Sequence, residues 1–383
     1  MNEESLLKQL HKDREALHQI PELGFDLPKT KAYLETRLKA MGYQPFTIAK
    51  SGVAVHIQGQ QKEAIAFRAD MDALSVTEKT QRPFSSTHPG QMHACGHDGH
   101  MSILLSFAAY LTEVPTPHHS LLLIFQPAEE GPGGAKVVVE EGVLSTYNVL
   151  SIFGFHLYPN LEEGLIGMVN GPMMAQNGEF DVIIKGQSAH GAQPHDGRDA
   201  ITAGVSLFSA YQDLVTKMID PFVPSVIAIG TFNAGEARNI IAQEASFTGT
   251  IRTFEEQTYD SIKAAMRRLA THTAEGYDVD INLEIRDFYP PVINDSALYQ
   301  LISDTLDDDQ QRIIKPMMFA EDFAFYQQAV PGVFMMLGTR NASKGYTHSL
   351  HSCYFDYTTA VLLEGVKTYA KIFTALEEKI KRK

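Results

Sequence analysis

The run His93-Ala94-Cys95-Gly96-His97-Asp98-Gly99-His100 puts one thiol, three imidazoles and one carboxylate into eight residues, between stretches that read as core. It follows Arg68-Ala69-Asp70-Met71-Asp72-Ala73-Leu74. Further along come Gln126-Pro127-Ala128-Glu129-Glu130-Gly131, then Gly154-Phe155-His156, and near the end Leu350-His351-Ser352. Any fold of this chain has to place those donors, and S, N and O ligands drawn from separate segments are the composition of a hydrolytic metal site. The alternative, a loop of histidines bonded to one another, leaves the carboxylate pair and the distant histidines without a purpose.

The hydrophobic pattern says what carries them. Short apolar runs at 53–57, 64–67, 121–125 and 152–157 read as strands, the third as a fully buried one. Helical spacing at 3–18, 30–41, 101–111 and 135–141 alternates with them. That order predicts an α/β fold with a central, mostly parallel sheet. From about Asn177 the pattern changes to strand 180–184, helix 199–218, strands 225–232 and 245–254, helix 258–274 and strand 279–285. The order βαββαβ predicts a ferredoxin-like module. Helix–strand alternation resumes near Pro290 and brings His351, so the module reads as an insertion. The expected organisation is a catalytic domain over 1–175 and 289–383 with an inserted domain over 176–288.

At 383 residues the chain exceeds the usual size of one core, which agrees with two domains. A net charge of −14 argues against a nucleic-acid partner. No apolar run reaches the length of a membrane span and no secretory apolar segment opens the chain, so a cytoplasmic protein is expected. Two cysteines make no disulfide framework, and Cys95 inside the histidine run reads as a ligand thiolate.

The donors fall at predicted strand ends. Asp70 and Asp72 follow one strand, Glu129 and Glu130 another, and His156 closes a third; in open α/β sheets the ligand crevice lies outside those ends. Cys95 and His97 can reach one site from a single loop, while His93 and His100 suit either ligation or support of ligands. The pair Glu129-Glu130 fits a division in which one carboxylate binds a cation and the other takes a proton from water. An aspartate of the Asp70/Asp72 pair would orient a ligand or tune that base. Gly131-Pro132-Gly133-Gly134 reads as a tight turn into a helix, because it lacks a phosphate-loop lysine. In the insertion, Gln187-Ser188-Ala189-His190-Gly191 puts an imidazole on a loop, where His190 can donate to an oxyanion. Arg238, Arg252 and Arg340 are the basic candidates for gripping a substrate carboxylate.

With those residues in place, the chain resembles the M20 metallopeptidase and amidohydrolase family, subfamily D. The resemblance runs from Leu17-His18-Gln19-Ile20-Pro21-Glu22-Leu23-Gly24-Phe25 through each motif above and Gly249-Thr250-Ile251-Arg252-Thr253 to Leu350-His351-Ser352. It implies two divalent metal ions, with Mn, Zn, Co and Ni all suited to the donors. The implied ligands are Cys95, His97, Glu130, His156 and His351, with Glu129 as general base and Asp70 as the catalytic aspartate. The insertion is then a lid that also carries a homodimer contact, with His190 and Asn239 as lid residues near substrate. Within the subfamily the sequence is most similar to N-acetyldiaminopimelate deacetylases, on Phe319-Ala320-Glu321-Asp322-Phe323 and Gly338-Thr339-Arg340-Asn341; Ala320 stands where glycine is common. The implied activity is removal of acetyl from N-acetyl-LL-2,6-diaminopimelate in lysine biosynthesis. The alternatives are hydrolysis of hippurate or other N-acyl amino acids, or a broad aminoacylase.

Overall fold

A computed structural model describes residues 3–381. The chain divides into two compact units, one of Met1–Gly171, Ile293–Lys315 and Asp322–Lys383, the other of Pro172–Val292 and Pro316–Glu321. Helices α1 (Glu3–His18) and α2 (Pro28–Ala40) lead into strands β1 (Phe46–Ile48), β2 (Gly52–Ile57) and β3 (Gln61–Asp70). Then come α3 (His97–Leu111), β4 (His119–Gln126), α4 (Gly134–Glu140), α5 (Val143–Thr146), β5 (Val149–Glu162) and β6 (Ile166–Met168). The middle of the chain holds β7 (Gly171–Met174), β8 (Gln176–Lys185), α6 (Ala200–Lys217), β9 (Ser225–Ala234), β10 (Glu244–Thr253), α7 (Glu256–Tyr277) and β11 (Asp280–Asp287). Last are β12 (Val292–Asn294), α8 (Ser296–Thr305), β13 (Gln311–Ile313), α9 (Ala324–Ala329), β14 (Gly332–Arg340) and α10 (Leu362–Lys381).

The first unit is built on an eight-stranded sheet in the order β1-β2-β4-β3-β5-β14-β6-β13. Its centre, β4-β3-β5-β14, is parallel, and β1, β2 and β6 add antiparallel pairs. The expected α/β class with a mostly parallel sheet is therefore present. Leu121, Leu122, Leu123, Ile124 and Phe125 of β4 are fully buried, as a strand covered on both faces must be. Helix α3 packs against α1, α10 and β3 and is apolar nearly all round, with Leu104, Phe107 and Ala108 fully buried. Each such large side chain contributes about 1.5–3 kcal/mol on burial.

Two elements run beyond the apolar pattern that foretells them. Helix α3 starts at His97 rather than near Met101, because Gly96, at φ +89°, makes a left-handed turn directly into it. Strand β5 continues to Glu162 because β14 runs alongside it, with Met336 opposite His156 and Arg340 opposite Glu162. Strand β3 stops at Asp70, and its last partner on β5 is Gly154. His156 thus lies inside a strand, two residues past the last one that pairs with β3.

The second unit is a four-stranded antiparallel sheet in the order β11-β8-β10-β9, packed by α6 and α7. This is the strand order of a ferredoxin-like βαββαβ module. Phe180, Val182 and Ile184 of β8 are buried while their neighbours are not, the period-2 pattern of a strand with one covered face. They join Leu207, Tyr211, Phe247, Ile251, Tyr259 and Met266 in a core of their own.

Candidate metal centre

Helical geometry sorts the side chains of the Cys95 run. His97 and His100 are three residues apart on α3 and share a face, whereas Asp98 points away, toward His18 and Arg14. The two glycines have packing reasons as well. A Cβ on Gly96 would come to 2.9 Å from Leu157 Cδ1, and one on Gly99 would meet the Tyr357 hydroxyl.

Donors from all four segments converge in the first unit. Cys95 Sγ lies 3.3 Å from His156 Nε2 and 3.4 Å from His351 Nε2. His351 Nε2 is 3.4 Å from Glu130 Oε1, and His97 Nε2 is 3.9 Å from the same oxygen. Among the described residues, three of the five groupings whose donor atoms lie within 4.8 Å of one another are Cys95, His97 and His156; Cys95, Glu130 and His351; and His97, Glu129 and Glu130. Every member is buried or nearly so except His351, whose side chain is 54% exposed.

The imidazoles are already set for ligation. His97 Nδ1 donates to the Asp72 carbonyl at 2.8 Å, and His156 Nδ1 donates to the Leu157 carbonyl at 2.7 Å. Each ring therefore turns an Nε2 lone pair toward the cluster, as a protein carbonyl does for a metal-bound histidine. His100 differs. Its Nδ1 donates to Asp70 Oδ1 at 2.6 Å and its Nε2 accepts the Leu157 N–H at 2.9 Å, so both nitrogens are committed. His93 is buried, with neither ring nitrogen hydrogen-bonded among the described residues.

A divalent cation fits this donor set. His97 Nε2 and Glu130 Oε1 are buried and make no hydrogen bond among the described residues. Such atoms are costly unless something absent from the protein pairs with them. The field points the same way. Burial would lower the His97 pKa, but Asp70, Asp72 and Glu130 reverse that and raise it to about 10, so that without a cation a proton takes the place on Nε2 that a cation would fill. Burial, with His100 next, pushes His156 down to about 3, so it stays neutral and ligand-ready. Burial opposes charge on Glu130, yet His351 and His97 outweigh it and bring it down to about 2. Burial and the charges of Glu130 and Glu129 push the Cys95 thiol well up. The cluster is rich in negative charge and short of a positive one.

The aspartates hold the frame. Asp70 ends β3, with Oδ2 accepting from Arg68 at 2.7 Å and lying 3.7 Å from His97 Nε2. Arg68 is buried and also donates to Asp322 and Gln126, each at 2.8 Å. Asp72 accepts two consecutive backbone N–H groups, Glu129 at 2.9 Å and Glu130 at 3.1 Å. Backbone strain sits beside both ligand loops: Ala128, just before Glu129, has φ +57° and His351 has φ +64°. A left-handed non-glycine costs about 1–3 kcal/mol and persists only where its surroundings hold it. Gly133 and Gly134 donate to Ala128 O at 3.2 and 3.0 Å, which makes the glycine run a turn into α4.

The remaining sequence candidates stand outside these groupings. Arg340 is exposed at the end of β14. His190, Arg238 and Asn239 are exposed on loops of the second unit, where Gly191 N donates to Asn239 O at 2.8 Å. His190 Nδ1 accepts the Ala192 N–H at 3.1 Å, which leaves its proton on Nε2. Arg252 donates to the Met318 carbonyl at 2.9 Å, a structural contact. Sequence reasoning quoted Arg68 and Asp322 only as parts of motifs; they are 254 positions apart, and nothing local signals that they pair.

Comparison with known proteins adds to this geometry. Residues 66–375 match the model of peptidase family M20/M25/M40. An IAA-amino acid hydrolase, ILR1-like 4, of Arabidopsis thaliana is 36% identical over 94% of this chain and 84% of its own. An N-acetyldiaminopimelate deacetylase of Lactiplantibacillus plantarum is also 36% identical, over 94% of each chain. The solved YXEP protein of Bacillus subtilis, described as a dinuclear metal binding peptidase from the M20 family, superposes with a TM-score of 0.86. It is 31% identical, with 98% of this chain and 99% of that one covered.

Proposed function

The chain belongs to peptidase family M20/M25/M40, and from that membership we propose that it is a two-metal amidohydrolase that removes acetyl from N-acetyl-LL-2,6-diaminopimelate. The observation that carries the chemistry is the convergence of Cys95, His97, Glu130, His156 and His351, with two imidazole tautomers set and two buried atoms lacking a hydrogen bond. A solved relative of 31% identity described as dinuclear supports two ions. Cys95, His97 and His156 would hold one, and Cys95, Glu130 and His351 the other. Bound there, the pair supplies Lewis acidity, which acidifies water and polarises the amide carbonyl.

The chain's own groups do the rest. Glu129, buried beside His97 and Glu130, takes the proton of the attacking water on its carboxylate and delivers it to the leaving amide nitrogen. Asp72 fixes where that carboxylate starts, through the Glu129 and Glu130 backbone N–H groups. Asp70 stands beside His97 and holds the supporting His100. To His190, with its proton on Nε2, the resemblance gives the role of oxyanion donor. The resemblance gives Asn239 a place near substrate, and Arg238 and Arg340 are the basic candidates for its carboxylate.

Among the described residues no helix is long and apolar enough to cross a membrane. We assign the protein to the cytoplasm and to lysine biosynthesis, in keeping with its two free cysteines and its deacetylase relative. A homodimer is part of this reading: β9 is an outer strand of the second unit's sheet, with Val226 and Phe232 exposed along it.

A second reading has equal identity behind it. The plant relative named for IAA-amino acids matches as well as the deacetylase does, so hydrolysis of other N-acyl amino acids competes. Acetate release from N-acetyl-LL-diaminopimelate, measured beside hippurate and N-acetylmethionine hydrolysis, decides between them. A kcat/KM highest for the diaminopimelate derivative supports the deacetylase; equal or better turnover of the others supports the broader enzyme.

A further inference from the structure

Helix α1 supplies none of the donors, yet one of its side chains touches the segments on both sides of the cluster. Arg14 is 2% exposed. Its Nε faces Asp98 Oδ2 at 3.4 Å, and Asp98 is the residue after His97. Its Nη2 donates to Asp356 Oδ1 at 2.5 Å, and its Nη1 to the Tyr357 carbonyl at 2.8 Å and Thr359 Oγ1 at 2.9 Å. Those three acceptors follow His351 along the chain, the last of them opening a short 3-10 turn. The guanidinium also stacks over the Tyr357 ring at 3.7 Å from its centroid, and the Tyr357 hydroxyl returns to Asp98 Oδ1 at 3.3 Å.

We infer that Arg14 is a positioning residue of the metal centre, whose guanidinium fastens the segment carrying Cys95 and His97 to the loop carrying His351. The inference rests on the two-metal reading above. His351 needs such a fastening more than any other donor. It lies outside helix and strand, its side chain is half-exposed, and its backbone is held at φ +64°. Its own N–H reaches Ala94 O at 2.9 Å, and Lys79 N reaches Cys353 O at 2.9 Å. From the outer side Arg82 donates to the other Asp356 oxygen and to the Tyr346 hydroxyl, each at 2.5 Å. Asp356 is therefore clamped between two arginines. A lysine at position 14 keeps the charge but cannot reach four acceptors in a planar fork. The ion that depends on His351 should weaken first, and the Cys95–His97–His156 group should keep its ion.

The test titrates Co(II) into metal-stripped full-length wild type, Arg14→Lys and Arg82→Met, each confirmed folded by circular dichroism. Isothermal titration resolves the two binding steps, and the visible d–d bands report the coordination of the ion bound in each. The expected result is one ion bound as in wild type and the other weakened about 10–100-fold by Arg14→Lys, less by Arg82→Met. Unchanged affinity for both ions in folded variants overturns the inference, as does an equal loss at both sites that follows the melting temperature. If Arg14→Lys does not fold, Arg82→Met decides by the same criterion. A wild-type chain that binds fewer than two ions refutes the two-metal reading itself, a failure visible before any variant is made.

Discussion

Asp72 receives the backbone N–H of Glu129 on one carboxylate oxygen at 2.9 Å, and the other oxygen takes the next N–H along, that of Glu130, at 3.1 Å. One buried side chain thereby fixes the start of the two acidic residues on which the proposed chemistry depends. In Asp72→Asn the amide group replaces one acceptor with a donor that faces an N–H. Losing a buried charge-assisted hydrogen bond costs about 1.5–3 kcal/mol. Metal affinity should fall about 10–100-fold, as for other groups that orient ligands. Isothermal titration of the stripped variant checks this; wild-type affinity would count against the role given to Asp72.

Glu129 and Glu130 are adjacent but should fail differently. Glu129→Gln should lose about 10²–10⁴-fold in kcat and still bind both ions. Glu130→Gln removes a donor from the Cys95–Glu130–His351 group, so it should lose an ion together with activity. Elemental analysis alongside kcat separates the two. Loss of metal from Glu129→Gln would reverse the roles assigned here.

The helix that carries His97 has no room at Gly99. A Cβ there meets the Tyr357 hydroxyl and comes to 2.9 Å from Leu157 Cδ1. Gly99→Ala should destabilise the protein by about 1–3 kcal/mol through overpacking, despite alanine's better helix propensity. Urea unfolding measures it, and a stabilised variant would contradict the packing described.

His18 ties α1 to the same helix, with Nδ1 2.9 Å from Asp98 Oδ2 and Nε2 3.3 Å from Glu78 Oε1. Burial alone would lower its pKa, but those carboxylates outweigh it and raise the value from 6.5 to about 9. A pKa raised by folding adds stability that is complete below the unfolded value and lost as pH rises through the folded one. The contribution is on the order of 3 kcal/mol, shared with the two carboxylates. The urea-midpoint gap between wild type and His18→Gln should be widest near pH 6 and close as pH rises past 9. A gap independent of pH would show that His18 is not charged in the folded protein.

Period and spacing read out the architecture well where an element has one covered face. The alternation of Phe180, Val182 and Ile184 and the amphipathic helices around them made the inserted module legible. The apolar pattern reached the buried part of α3 but not its first turn, because His97, Asp98 and His100 are polar and the helix begins on a glycine's positive φ. Asp70 and Asp72 could not be told apart from sequence, since residues two apart on an extended chain share a face. What distinguishes them is tertiary: His100 and Arg68 claim one, and the Glu129 and Glu130 backbone claims the other. The Arg14 contacts were invisible for the same reason, because Asp356 is 342 positions away.

On the proposed reading, Cys95, His97, Glu130, His156 and His351 hold two cations needed for amide hydrolysis. The direct measurement strips the full-length chain with a chelator, adds back Mn or Zn stepwise, and follows bound metal and acetate release together. The expected result is no turnover in the stripped protein and full activity as occupancy reaches two ions per chain. Undiminished hydrolysis by protein that retains no metal would contradict it.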